Sequence, residues 1–180
     1  MWFSLGGIAV VPQAGLAFAQ RYQPVDAVSQ DRLAGGGLAQ QVAWRKLATE
    51  ISGEGIYPPA LDSLDYNVAM TLLCCAPVNR YGAGTSIALP AARRTDAGFT
   101  PQGYAAVVEA GGDSVHDVRL VPTDLVMTGD TATLTAVPGA VHYQVAYWPA
   151  LQVFATRPEV DHGIQPAGGR IRWLLRAEEI

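Results

Sequence analysis

Three histidines, two cysteines and a handful of carboxylates are the side chains here that most often carry chemistry. His116, His142 and His162 fall in three separate segments. Asp161 and His162 follow Glu159 and suggest half of a metal site, but no group at matching spacing completes it. A histidine of this kind reads as a hydrogen-bonded structural group. A serine triad assembles in space and leaves no fixed order, yet the Gly-x-Ser-x-Gly elbow is absent. Gly82-Ala83-Gly84-Thr85-Ser86 is rich in glycine but lacks the lysine and the following helix of a phosphate loop. Asp62 suits the closing of a turn after Pro58-Pro59. Asp62 and Asp65 stand three residues apart, and glycosidase use would need two carboxylates facing each other across a cleft. Cys74 and Cys75 are adjacent and point to opposite sides of a strand, so they read as ordinary buried thiols. The expectation is no catalytic residue, no metal and no cofactor.

The charged residues point to assembly instead. Only 16% of the chain is charged, against about 25% in ordinary domains. A surface so poor in charge suggests cover by partners. Eleven of the twelve basic residues are arginine, Lys46 being the exception. Genomic composition can cause this bias, but arginine is also the better interface residue because its planar fork binds carboxylates bidentately. Arg93 and Arg94 with Asp96 are the most pointed cluster. They read either as a solvated local pair or as a contact to a neighbouring subunit. The same choice applies to Arg170, Arg172 and Arg176, whose alternation places them on one strand face. Trp2 and Phe3 form an apolar start that either docks on a neighbour or packs on its own domain. A net charge of −4 and a pI near 5.2 argue against a general nucleic-acid binder.

The elements that must position these residues are strands. From Gly129 to Arg157 the side chains alternate almost without a break. Val141, Tyr143, Val145 and Tyr147 line one side, and His142, Gln144, Ala146 and Trp148 the other. Large side chains on both sides suggest that both meet protein. Further strands are expected at Gly7–Val11, Tyr22–Val28, Gln40–Ser52, Val68–Ala76, Tyr104–Glu109, Ser114–Val121 and Leu125–Met127. In the third, Val42, Trp44 and Lys46 oppose Ala43, Arg45, Leu47, Thr49 and Ile51. Ala34-Gly35-Gly36-Gly37 marks a flexible connection or hairpin tip. Pro58 to Leu64 suits one helical or 3₁₀ turn. Residues 77–102 and 158–169 read as loops. The fold class expected is mainly β, a single domain over 1–180. It takes the form of a sandwich or partly closed barrel with long loops and one or two short helices at most. The N-terminal strand or arm covers about 1–20. No run suits a membrane span, and the missing basic n-region argues against a signal peptide.

Several stretches give the chain a family character. They are Trp44-Arg45-Lys46-Leu47 leading into Ile51-Ser52-Gly53-Glu54-Gly55, then Pro58 through Tyr66, Leu89 through Asp96, Tyr143 through Leu151, and Ala177-Glu178-Glu179-Ile180. Together they resemble virion proteins of tailed bacteriophages, in particular small minor-tail, distal-tail or baseplate proteins. None is a motif with a chemical mechanism of its own. The resemblance implies a non-enzymatic tail subunit, made in the host cytoplasm and built into the virion. It would form a ring with itself and neighbouring tail proteins. A tail-terminator or neck ring is the alternative position. A different class is a receptor- or glycan-binding tail-tip module, using Tyr57, Tyr66, Tyr81 or Trp148 as stacking platforms. A hydrolase using His142 or Asp62 stands third.

Overall fold

The computed structural model describes residues 3–108, 118–163 and 169–180. It is built of strands, as the alternation requires, in antiparallel sheets that form no closed barrel among the described residues. In chain order they are β1 (Ser4–Leu5), β2 (Ile8–Ala9), β3 (Ala17–Arg32), β4 (Leu38–Gly55), β5 (Met70–Leu73), β6 (Val78–Gly82), β7 (Ser86–Ala88) and β8 (Gln102–Val108). There follow β9 (Val118–Thr123), β10 (Leu125–Thr128), β11 (Thr131–Leu134), β12 (Ala140–Tyr147), β13 (Ala150–Ala155), β14 (Glu159–His162) and β15 (Ile171–Glu179). One 3₁₀ turn, Pro12–Ala14, is the only helical element among the described residues. Proline at its first position presets the turn.

The chain divides into two compact units, Met1–Leu72 with Leu151–Ile180, and Leu73–Ala150. The first holds a sheet in the order β2-β1-β5-β13-β15-β4-β3, with β14 on part of β15. Its core is aromatic at one end. Phe3, Phe18 and Trp173 meet with ring centroids 5.6–5.8 Å apart. The indole N–H of Trp173 donates to the Ala14 carbonyl at 2.6 Å. Gly53 leaves room for that indole, since a Cβ there would stand 2.4 Å from its ring. Leu5, Ile51, Leu72, Val153 and Leu175 continue the core without exposure.

The second unit packs two sheets, β10-β11-β7 and β6-β12-β8-β9. Tyr143, Val145 and Tyr147 of β12 meet Ile87 of β7 and Ala132 and Leu134 of β11 in one buried cluster. The inward assignment of these three β12 residues holds. Val141 departs from it and is half exposed, because the pairing of β12 with β8 slips between Ala140 and His142. A bulge adds one residue and turns the following side chains over.

Several expected elements differ. The N-terminal strand expected at Gly7–Val11 is a tiny hairpin, β1 with β2, tightened by positive φ at Gly6 and Gly7. Val68–Ala76 shortens to β5, though it lies inside its sheet as its apolar run suggested. Pro58 to Leu64 makes turns rather than a helix, with Ala60 at φ 57°. The stretch 77–102 is not a simple loop, because β6 and β7 lie in it. Likewise 158–169 contains β14. All three strands are short, so their alternation is too brief to stand out in sequence. Glu109 and Ser114 to Asp117 lie outside the described residues.

Candidate assembly surface

The longest feature of the first unit is the hairpin of β3 and β4. Register runs from Ala17 opposite Glu54 to Arg32 opposite Leu38. The turn closes as Leu33 N–H donates to the Gly37 carbonyl and Gly36, at φ 79°, donates back to Leu33. That turn is the glycine run read from sequence as a connection or hairpin tip. The root of the hairpin is a proper part of the sheet, since β15 pairs with β4 from Gly55 as far as Ala48. Beyond it, among the described residues, Pro24–Arg32 and Leu38–Leu47 pair only with each other. Nine residues of antiparallel strand extend about 30 Å. Lys46 Nζ donates to the Ile180 main-chain oxygen, and Glu179 accepts from Leu47 N–H at 3.0 Å, so the ribbon is pinned where it leaves the sheet.

This ribbon keeps apolar side chains in water. Leu33 is 61% exposed, Leu38 58% and Trp44 47%, with Val28 also exposed. The pairing slips at Ala27 and Val28, where Ala43 is the extra residue on β4. Val42 therefore faces away from Trp44 and Lys46, contrary to the uninterrupted alternation expected across 40–52. The result is apolar side chains on both faces, Trp44 with Val25 and Ala27 on one, Val28 with Val42 and Leu38 on the other. A two-stranded ribbon alone is marginal in water. One with two apolar faces is built to be covered.

The arginines named from sequence are placed differently. Arg94 is 2% exposed. Its Nε and Nη2 donate to the two Asp96 carboxylate oxygens at 2.9 and 2.6 Å, and Nη1 to the Cys74 carbonyl at 2.7 Å. Arg93 donates to the carbonyls of Pro90 (2.6 Å) and Gly129 (2.8 Å) and to Asp130 (2.7 Å). Main-chain bonds from Arg94 N–H to Trp148 and from Ala150 N–H to Ala92 bind this segment to the end of β12. Arg93 and Arg94 thus form an internal brace, in which the local Arg94–Asp96 pair is made but with the guanidinium buried rather than solvated. Sequence spacing cannot reveal this, because the acceptors are main-chain carbonyls and a distant Asp130.

On the first unit, Arg170 and Arg172 both donate to Glu54, at 2.8 and 3.0 Å. Their donation holds the Glu54 carboxyl below its usual pKa, the Arg170 bond being the larger cause. Arg176 bonds Glu50 and Glu159. The face expected from alternation is real, with Trp173 and Leu175 buried on the other side. Its arginines are exposed but paired in a cross-strand ladder. Phe3 is buried in its own unit, and Trp2 lies outside the described residues.

Other sequence candidates are scattered. His142 lies beside Gln144 and Tyr81, His162 ends β14, and His116 is outside the described residues. Asp65 accepts from Asn67 N–H and closes its own turn. Cys74 and Cys75 are thiols rather than a disulfide, and burial, then the neighbouring Cys74, pushes the Cys75 thiol up to about 11. Of the proposed stacking aromatics, Tyr57 and Tyr81 are exposed. Trp148 is buried with its N–H on the Cys75 carbonyl, and Tyr66 donates to the Leu61 carbonyl. A cleft of about 640 Å³ in the second unit is lined by Tyr104, Pro122, Asp124 and Met127. No helix among the described residues is long and apolar enough to cross a membrane.

Comparison of the chain with protein-family models, with curated proteins and with solved structures gives no match. The ribbon remains the feature with most to say about function.

Proposed function

We propose that this chain is a non-enzymatic structural subunit of a bacteriophage tail. It belongs to the distal-tail or baseplate region and assembles as a ring with itself and with neighbouring tail proteins. The observation that carries the reading is the ribbon beyond Pro24 and Leu47, with free edges and apolar side chains on both faces. Ordering about twenty residues in this form costs conformational entropy that an isolated hairpin does not recover. A partner surface recovers it. The low charge of the chain and the family resemblance support the same reading, the second also suggesting the kind of particle.

The test replaces Pro24–Leu47 with an Asn-Gly turn joining Gln23 to Ala48, a residue pair that faces across the hairpin. The shortened chain should keep its cooperative unfolding but fail to enter particles when expressed in place of the full chain. Normal incorporation of the shortened chain would remove the proposal.

A further inference from the structure

The outer face of the four-stranded sheet in the second unit is a surface of a different kind. Tyr143 and Val145 of β12 point into the core, so Gln144 between them points out. Gln144 stands opposite Tyr81 of β6 on one side and Tyr104 of β8 on the other, and Tyr104 stands opposite Pro122 of β9. A row from Tyr81 through Gln144 and Tyr104 to Pro122 therefore crosses all four strands on one face. Two strand spacings, about 10 Å, separate the two tyrosines. Tyr81 is 81% exposed.

The polar groups of the row hold one another in place. The Tyr104 hydroxyl donates to Oε1 of Gln102 at 2.9 Å, which leaves the amide N–H groups of Gln102 for a ligand. Nε2 of Gln144 lies 3.3 Å from Nε2 of His142, and the Tyr81 ring meets that imidazole edge-on at 6.4 Å. At its Tyr104 end the row runs into the cleft of about 640 Å³, whose wall includes Gln102, Tyr104 and Pro122. A cleft of that volume is in the range of small-molecule sites.

The chemistry of face and cleft selects the ligand. By register, the outward residues of β6, β12, β8 and β9 include no Asp, Glu, Lys or Arg. They present phenol, amide and imidazole, with no counter-ion for a charged ligand. Arg93 on the cleft wall is already committed to Pro90, Gly129 and Asp130. The exposed carboxylate of Asp124, also on the wall, accepts hydroxyls and repels anions. Aromatic faces suit the apolar C–H side of a sugar ring. An amide offers donor and acceptor side by side, as two adjacent hydroxyls do.

We infer that this face and its cleft bind a neutral oligosaccharide. Tyr81 and Tyr104 stack on two of its rings, while Gln102, Gln144 and Asp124 bond hydroxyls between and beside them. One sugar ring cannot reach both tyrosines, so the ligand is a chain of sugars. This binding activity goes beyond the assembly reading and does not depend on it.

Titration calorimetry of the full chain tests it against hexasaccharides of glucose, mannose, galactose and N-acetylglucosamine, with hexagalacturonic acid as the anionic comparison. At least one neutral hexasaccharide should bind, more than tenfold tighter than its own monosaccharide. Tyr81→Ala and Tyr104→Ala should each weaken that binding about five- to tenfold, the size of one lost aromatic contact. Tyr57→Ala, at an exposed tyrosine of the other unit, should leave it unchanged. Thermal unfolding establishes that the variants fold. Should Tyr104→Ala misfold, Gln102→Ala replaces it and should weaken binding in the same way. No binding by any neutral hexasaccharide at millimolar concentration overturns the proposal. Preference for hexagalacturonic acid overturns the neutral ligand, and binding indifferent to Tyr81→Ala and Tyr104→Ala overturns the face.

Discussion

The guanidinium carbon of Arg94 lies 3.3 Å from the centroid of the Phe99 ring. Phe99 in turn meets Trp148 edge-on at 5.6 Å, and Trp148 donates its indole N–H to the Cys75 carbonyl. One buried cation therefore joins an aromatic stack, a carboxylate and two separate main-chain segments. Such a group holds its neighbours only when every donor is satisfied.

Arg94→Ala should lower the unfolding free energy by about 2–4 kcal/mol, below the full cost of breaking a buried pair because Asp96 is partly solvated. Arg94→Lys should recover little of it, since an ammonium cannot reproduce the bidentate fork. Urea denaturation of the three proteins checks both statements. A loss under about half a kcal/mol would reduce the brace to an incidental contact.

Asp96 gives the same brace a pH dependence. Donation by Arg94 holds its carboxyl below the usual pKa, against a smaller opposing push from burial. A carboxyl with a lower pKa in the folded chain binds fewer protons there than in the unfolded chain. Its contribution is complete above the unfolded value of about 4 and fades as pH falls through the folded one. Unfolding measured between pH 7 and 2 should show stability dropping below about pH 4, with a shallower drop in Asp96→Asn. Parallel curves would reject the assignment.

Tyr143 is buried at the centre of the second unit, and its hydroxyl accepts from Val137 N–H at 3.0 Å. Tyr143→Ala should cost about 3–5 kcal/mol, as a large cavity does. Tyr143→Phe should cost about 1–2 kcal/mol by leaving the Val137 N–H unpaired. Chemical denaturation separates the two effects. No loss in Tyr143→Phe would mean that the hydroxyl contributes nothing.

Gly53 faces the Trp173 ring at a distance no Cβ tolerates. Gly53→Ala should destabilise by about 1–3 kcal/mol through overpacking, with a change in tryptophan fluorescence as the indole shifts. Unchanged fluorescence and melting temperature would show that the sheet adjusts without strain.

Much of the strand content was legible. The alternation of Tyr143, Val145 and Tyr147 identified a core face because three large apolar residues at period two have no other economical arrangement. Trp173 and Leu175 against Arg172 and Arg176 were legible for the same reason, and the glycine run at 34–37 marked a turn. Val42 and Val141 were misread, because a bulge inserts one residue without changing composition. The site itself was less legible. Arg93 and Arg94 stood out as charges, but their acceptors lie up to 37 residues away and are partly main-chain atoms.

Residue pattern alone determined that this chain forms β structure with little helix, since periodicity and turn residues act over a few positions. Only the tertiary structure decided which arginines are interior and which strand edge stays open. Those properties depend on how many neighbours a backbone segment finds at a distance. Trp44 and Trp173 are both tryptophans in alternating strands. One is half exposed and the other buried, because β15 and the N-terminal residues cover only the root of the hairpin.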